Sequence, residues 1–589
     1  MATSAPVPHW SCAALATVSC LSILLLHRSC RDVSQPAAWI HSVSAMAMTD
    51  RRSSRAWAYL LCLSIPAGSA LAQTGTDAGA IQQQIERERQ QRLPQRVMPE
   101  RPTPPAAMQP STGVTVTVKR FRFAGNTLVS SERLEAATSE FLGKPLDFSQ
   151  LQAAAAAAAE VYRAQGWVVR AYLPAQDIQD GIVTIQIIEA LFGGLRIEGD
   201  PQRVSVEQLK RGVEAQQRVG DPLNADALDR ALLLADDLPG ITVSGSLIAG
   251  QREGETDLVY KVADEPFVIS EATLDNTGSR STGAMRVVGN LALRSPLGRG
   301  DETAISAILS EGTRYARAAH SIPVGDDGWR VGVNASYLTY SLNDIAAEGD
   351  STTLGLEARY PLHRSRIENL YFSLGTDHKN FDNRFNGAVA RKYTIASTTA
   401  GLYGNRFDAF GGGGANSAGV FITAGRRNNT AGTTDDSFQK LRYNVSRQQT
   451  ISSELSLHAA IDGQTSRDNL DTAESLYLGG YSGVRAYPSA EGRGSSGLLS
   501  NLELRWRASA GVTLSGFYDH GRVRNRDDSP SFSLQGAGLS LAWRHDSGLN
   551  VRAALARRIG SNPNPTPAGK DQDGSLTLNR LWLSVSLPL

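Results

Sequence analysis

Residues 329–337 read WRVGVNASY. Trp329, Val331, Val333, Ala335 and Tyr337 fall on one side of an extended chain, with Arg330, Gly332, Asn334 and Ser336 on the other. Successive side chains of a strand point to opposite faces, so a period of two gives one apolar and one polar face. The pattern returns at 354–360, where Leu354, Leu356, Ala358 and Tyr360 alternate with Gly355, Glu357 and Arg359. It returns again where Leu455, Leu457, Ala459 and Ile461 alternate with Ser456, His458 and Asp462. The last segment puts Leu581, Leu583, Val585, Leu587 and Leu589 on one face. About sixteen such segments fit between 266 and 589, at roughly 20 residues per strand plus connection. Strands of a soluble sandwich run shorter, near ~5–6 residues. The reading is a mainly β fold: a 16-stranded antiparallel transmembrane β-barrel over 265–589, apolar outside and wet within.

The rest of the sequence agrees with that placement. Hydrophobic residues make up 41% of 589, because lipid-facing and lumen-facing residues of a barrel average out. No run approaches the ~20 consecutive apolar residues of a membrane helix. The formal charge of +1 implies no nucleic-acid partner. Residues 1–72 read as a presequence. Arg51, Arg52 and Arg55 precede the apolar core Ala56–Ile65, and Ala70-Leu71-Ala72 supplies a small-x-small site, so cleavage is expected between Ala72 and Gln73. A second apolar patch, Ala13–Leu26, lacks such a site. Either the signal is unusually long, or translation starts at Met46 or Met48. Cys12, Cys20, Cys30 and Cys62 all precede the cleavage site. The remaining chain has no thiol, which suits an oxidising compartment.

Between presequence and barrel lie four further segments. Region 73–93 contains GAIQQQIERERQQRL at 79–93, a polar helix with too few apolar residues for an ordinary core. Pro94, Pro99, Pro102, Pro104, Pro105 and Pro110 mark 94–112 as an extended linker. Residues 113–192 read as strand Val114–Phe123, a turn at Gly125-Asn126, a helix near Ser131–Phe141, a helix capped by Asp147 and Gln150, and strands Val168–Leu173 and Ile182–Ile188. Residues 193–264 repeat the order: strand Leu195–Glu198, helices capped by Ser205 (with Gln208) and by Asn224, then strands Ile241–Ile248 and Thr256–Val262. Two β-α-α-β-β units form an internal repeat.

Catalytic motifs do not occur in the sequence. There is no Walker A loop, HExxH, GxSxG or CxxC, and the nine histidines lack metal-ligand spacing. The expectation is a protein that is not an enzyme and takes no cofactor or metal.

One segment is sharper than the rest: Gly479-Gly480-Tyr481-Ser482-Gly483-Val484-Arg485-Ala486-Tyr487-Pro488, followed by Glu491-Gly492 and the strand Leu498–Trp506. It resembles the VRGY-type loop of two-partner secretion outer-membrane transporters. These are the TpsB family (FhaC-, ShlB- and HecB-like), within the POTRA-barrel superfamily that includes BamA. The first αβ unit looks like a POTRA domain, opening with Phe121-Arg122-Phe123-Ala124-Gly125-Asn126 and carrying Tyr172-Leu173-Pro174. The second carries Leu238-Pro239-Gly240 and Gly254-Glu255-Thr256-Asp257-Leu258. Leu274-Asp275-Asn276-Thr277-Gly278-Ser279-Arg280 is similar to the family's barrel entry. Two positions depart from the pattern: Ala486 stands where the motif has glycine, and the chain ends in Pro588-Leu589 rather than an aromatic.

The resemblance implies the outer membrane of a Gram-negative bacterium, with two POTRA domains in the periplasm. It implies a loop at about 476–497, after the eleventh strand, folded into the lumen. Gly480, Val484, Arg485 and Tyr487 would form its functional motif, with Arg485 meeting Asp519 of Gly516-Phe517-Tyr518-Asp519-His520-Gly521 on the inner wall. Alternation agrees, with Val512, Leu514 and Tyr518 on one face and Thr513, Ser515 and Asp519 on the other. Without the family, Arg485 reads equally as a solvated loop arginine and Asp519 as an ordinary lumen charge. The helix at 79–93 would plug the lumen at rest. Implied partners are a secreted exoprotein (a TpsA-type adhesin, haemolysin or contact-dependent toxin), outer-membrane lipid, and the barrel-assembly machinery for insertion. The alternative is an assembly factor of the BamA or TamA type; two αβ units, the polar helix and the proline linker favour secretion.

Overall fold

The structure is a computed structural model, which describes residues 76–91, 115–429, 436–525 and 531–589. The presequence with its Ala72–Gln73 site, and the proline-rich stretch 94–112, lie outside the described residues.

Sixteen antiparallel strands close into a barrel, each pairing with its sequence neighbours. The last strand, Asn579–Pro588, closes the ring on the first, Val268–Asp275. The alternation sets the faces. Val333, Leu354 and Leu356 point outward and are 52%, 62% and 56% exposed, the side lipid covers. Their neighbours Ser336, Thr353 and Lys379 share the lumen face through cross-strand register. Trp329, Tyr360, Trp506 and Trp543 stand near the strand ends that adjoin the αβ units. With Trp329 stacked on Tyr360 at 4.8 Å, they form the aromatic girdle of a membrane interface.

The polar helix spans Ala78–Gln91 and lies inside the lumen. It has a narrow apolar stripe after all. Ala78, Ile81 and Ile85 are one helical turn apart and are buried against Tyr315, Tyr340, Phe381 and Tyr393 of the wall.

The first αβ unit has the expected order, with one strand divided. Val116–Thr117 pairs with Pro145–Leu146, and Arg120–Ala124 runs parallel to Ile182–Glu189. Helix Phe148–Arg163 starts from a reciprocal cap: the Gln150 backbone N–H donates to Asp147 at 2.8 Å, and the Asp147 N–H donates to the Gln150 side chain at 2.9 Å. Its alanines are packing residues, since Ala154, Ala155 and Ala158 are buried under the sheet with Leu134 and Tyr162. Glu189 ties the opening turn down, accepting from the N–H groups of Thr127 (2.7 Å) and Leu128 (2.9 Å) and from the Tyr162 hydroxyl (2.9 Å). Burial raises the Glu189 carboxyl, but these donors outweigh it and hold it below the ordinary glutamate range.

The second unit begins earlier than the expected residue 193. Its first strand is Leu191–Glu198, separated from the previous strand by Ala190 alone. The boundary moves because Leu191 already donates its N–H to Gly254 of the second unit. This unit is fastened to three barrel turns. Ser295 donates to the Arg203 carbonyl at 2.6 Å. Arg211 and Arg230 pair with Asp326 and Asp327. Arg364 and Arg366 pair with Asp237 and Asp229, each at 2.8 Å.

Candidate functional site: an arginine loop and a helix in one lumen

The eleventh barrel strand, Leu455–Ser466, leads into a long connection that returns as Ser496–Ser509. Within it, residues 470–480 and 483–489 are buried, so the connection is folded into the barrel. Its root is a two-residue ladder between Leu476–Tyr477 and Arg493–Gly494. Its tip is a compact turn in which Val484 donates its N–H to Leu478 (2.7 Å) and Gly480 to Tyr487 (3.0 Å). Glycine is required at the tip. Gly480 has φ +98°, and a Cβ on Gly483 would lie 2.0 Å from the Leu478 carbonyl oxygen.

That turn aims Arg485 at the wall. Its Nε and Nη2 donate to Asp519 at 2.9 and 2.7 Å, and its backbone N–H to the same carboxylate at 3.1 Å. Nη1 donates to Glu503 at 2.7 Å. The guanidinium lies 3.4 Å from the Phe517 ring centroid. Asp519 is fully buried and also accepts from Asn501 at 2.6 Å. Such a bidentate pair is directional as well as strong. Behind the arginine, Trp582 donates its indole N–H to the Arg485 carbonyl at 2.7 Å. Val484 and Tyr487 are buried with Leu478, Phe517 and Trp582. The Arg558 guanidinium covers the Tyr487 ring at 4.3 Å. Ala486 is accommodated because Gly536 faces it: a Cβ on Gly536 would lie 2.6 Å from that of Ala486.

Sequence reasoning paired Arg485 with Asp519, and the structure brings these two together. It missed Glu503, Phe517, Asn501 and Trp582. The first three were findable, because they share the inward parity of Asp519 on adjacent paired strands. Trp582 had a weaker signal, a bulky aromatic on the polar face of the last strand.

The loop root and the helix are joined. Arg87 of the helix donates to the carbonyls of Tyr477 (2.6 Å) and Ser482 (2.8 Å). Thr472 donates to Asp77 at 2.8 Å. Wall residues hold both bodies. Lys379 contacts Glu474 of the loop at 3.1 Å and Glu86 of the helix at 3.9 Å. Lys440 pairs with Glu474 at 2.6 Å, and Arg286 bridges Glu88 and Asp275. Among the described residues, no group of acidic, histidine or cysteine side chains fits a metal ion.

A closed membrane barrel, two αβ units of which the second is bolted to one mouth, and an arginine loop tucked into the lumen together define a protein-translocating POTRA-barrel transporter. The comparisons give the family. The profile of the haemolysin secretion/activation proteins ShlB/FhaC/HecB matches residues 254–543, and that of the ShlB-type POTRA domain matches 116–190. The chain is 26% identical over 474 residues to the heme/hemopexin transporter protein HuxB of Haemophilus influenzae, covering 74% of this chain and 82% of that one. It is 24% identical over 471 residues to the outer membrane transporter CdiB of Dickeya dadantii, covering 73% and 81%. The solved structure of CdiB from Escherichia coli shares the fold, with TM-score 0.69 at 21% identity over 87% of this chain and 98% of that chain. This chain belongs to the ShlB/FhaC/HecB family, the two-partner secretion transporters of the Gram-negative outer membrane, whose POTRA domains lie in the periplasm.

Proposed function

We propose that the resting pore is closed by two bodies, the helix Ala78–Gln91 and the loop 467–495, and that an arriving exoprotein displaces them. The observation that carries this reading is the shared lumen: helix, loop root and wall meet at Lys379, Glu86 and Glu474. The client is a single large exoprotein of the haemolysin, adhesin or contact-dependent toxin kind. It docks in extended form on an open POTRA edge such as Val169–Tyr172, through backbone hydrogen bonds. The protein performs no chemical step, and export is driven by the client folding outside. Its own insertion uses the barrel-assembly machinery.

Planar-bilayer recording tests the plug. A variant lacking residues 76–91 is expected to conduct more than the full chain. Unchanged conductance would remove the helix from the gating scheme.

A further inference from the structure

Three aromatic rings of the inner wall stand outside both clusters that seat the helix and the loop. Tyr371, Tyr403 and Phe421 lie on the neighbouring strands Glu368–Phe385, Ala388–Asp408 and Gly414–Asn429. All three face the lumen. Tyr371 has the parity of Lys379 and is paired with Tyr403, and Phe421 is paired with Gly401, which has the parity of Tyr403. Tyr371 lies on the periplasmic side of Lys379, the residue that contacts the helix.

The rings form a continuous stacked row across three strands. Tyr371 and Tyr403 have centroids 5.3 Å apart with planes at 18°, and Tyr403 and Phe421 are 6.1 Å apart at 22°. Two glycines let Phe421 lie down. A Cβ on Gly401 would fall 2.3 Å from its Cδ1, and one on Gly419 would fall 2.9 Å from its Cε2. At one end the Arg359 guanidinium stands 5.6 Å from the Tyr371 centroid, with Arg330 directly across the strand pair. Each ring is partly exposed. A channel-type lumen is ordinarily polar, so an open aromatic strip within it calls for something to cover it.

We propose that Tyr371, Tyr403 and Phe421, edged by Arg359, form a shelf on which the unfolded exoprotein rests in transit. The shelf belongs to the wall of the transport path and lies on its periplasmic side, so a chain in transit reaches it before the helix. The edges and uncovered face portions of a stacked row accept backbone carbonyls and apolar side chains with little sequence preference. Guanidinium groups serve backbone carbonyls and carboxylates. Those are the needs of a surface that must hold many segments of one long client in turn. The shelf rests on the reading that the client passes through the lumen.

Photocrosslinking on the full chain tests it. p-Benzoylphenylalanine replaces Tyr403, or Tyr337 on the lipid face as control, and heat-modifiable gel mobility certifies folded barrels. The probe is a fluorescein-labelled unstructured peptide of Gly, Ser and Phe. Adducts at position 403 several-fold above those at 337, and reduced when Ala replaces Phe in the peptide, support the shelf. A Phe421→Ser change in the 403 photoprobe background is expected to lower the yield again. Equal labelling at 403 and 337 overturns the proposal, as do adducts at 403 formed only with residues 92–114 of the chain itself. This readout needs no secretion, so its failure is distinct from failure of the plug, which conductance reports.

Discussion

The loop and the helix occupy one lumen but are held by different means. The loop is anchored at both ends by barrel strands and buries Leu478, Val484, Ala486 and Tyr487 completely. Its one central charge is met by two carboxylates. The helix buries Ala78, Ala80, Ile81 and Ile85, and its wall contacts are amide hydrogen bonds of Gln82 and ion pairs of Glu86 with Lys379 and Glu88 with Arg286. Breaking the Arg485 pair strands Asp519 in a dry site, whereas departure of the helix leaves Arg286 paired with Asp275 and Lys379 with Glu474. The difference teaches an order of release: the helix is built to leave, and the loop to stay until something competes for Arg485.

Four substitutions test that contrast. Arg485→Ala strands Asp519 in a buried pocket, leaves Glu503 to Arg505 alone, and is expected to destabilise the loop's inward state by about 3–5 kcal/mol. Limited proteolysis at the loop in intact cells, with secretion of the client, reads it out. Arg485→Lys should rescue only in part, since an ammonium cannot reproduce the fork. Full rescue by lysine would show that charge alone matters and geometry does not.

Glu474→Gln comes next. It leaves Lys379 and Lys440 with weaker partners at the root of the loop, an effect of about 1.5–3 kcal/mol. Because Lys379 also touches Glu86, the helix seat should loosen too, giving more frequent channel openings than in the full chain. Openings at the wild-type rate would mean that loop root and helix are independent. Gln82→Ala should be mildest, about 0.5–1.5 kcal/mol, since Ser351 and Thr353 can turn to water. Equal openings for Gln82→Ala and Glu474→Gln would erase the distinction between a solvated and a charged hold.

Much of this was legible beforehand because barrels write themselves in a local code. A period of two assigns Val333 outward and Asp519 inward with no knowledge of the partner strand. The caps at Asp147 and Asn224 are equally local. What could not be read depends on closure. Trp582 meets Arg485 only because the ring closes through the last strand and the loop folds into the lumen beside it. The helix stripe was missed because four apolar residues among fourteen, two of them alanines, are too few to signal a core; the wall supplies the rest. The flat Phe421 ring depends on glycines of its own and the neighbouring strand, and alternation alone gives no account of those.

The fastening of the second POTRA domain has a mechanical consequence. Its arginines and aspartates grip the short hairpin connections at 325–328 and 365–367. Traction on that domain is therefore not dissipated at a joint. It arrives as torque on the hairpin whose second strand carries Tyr371, so a tug from outside the pore is felt first by the surface that holds the cargo.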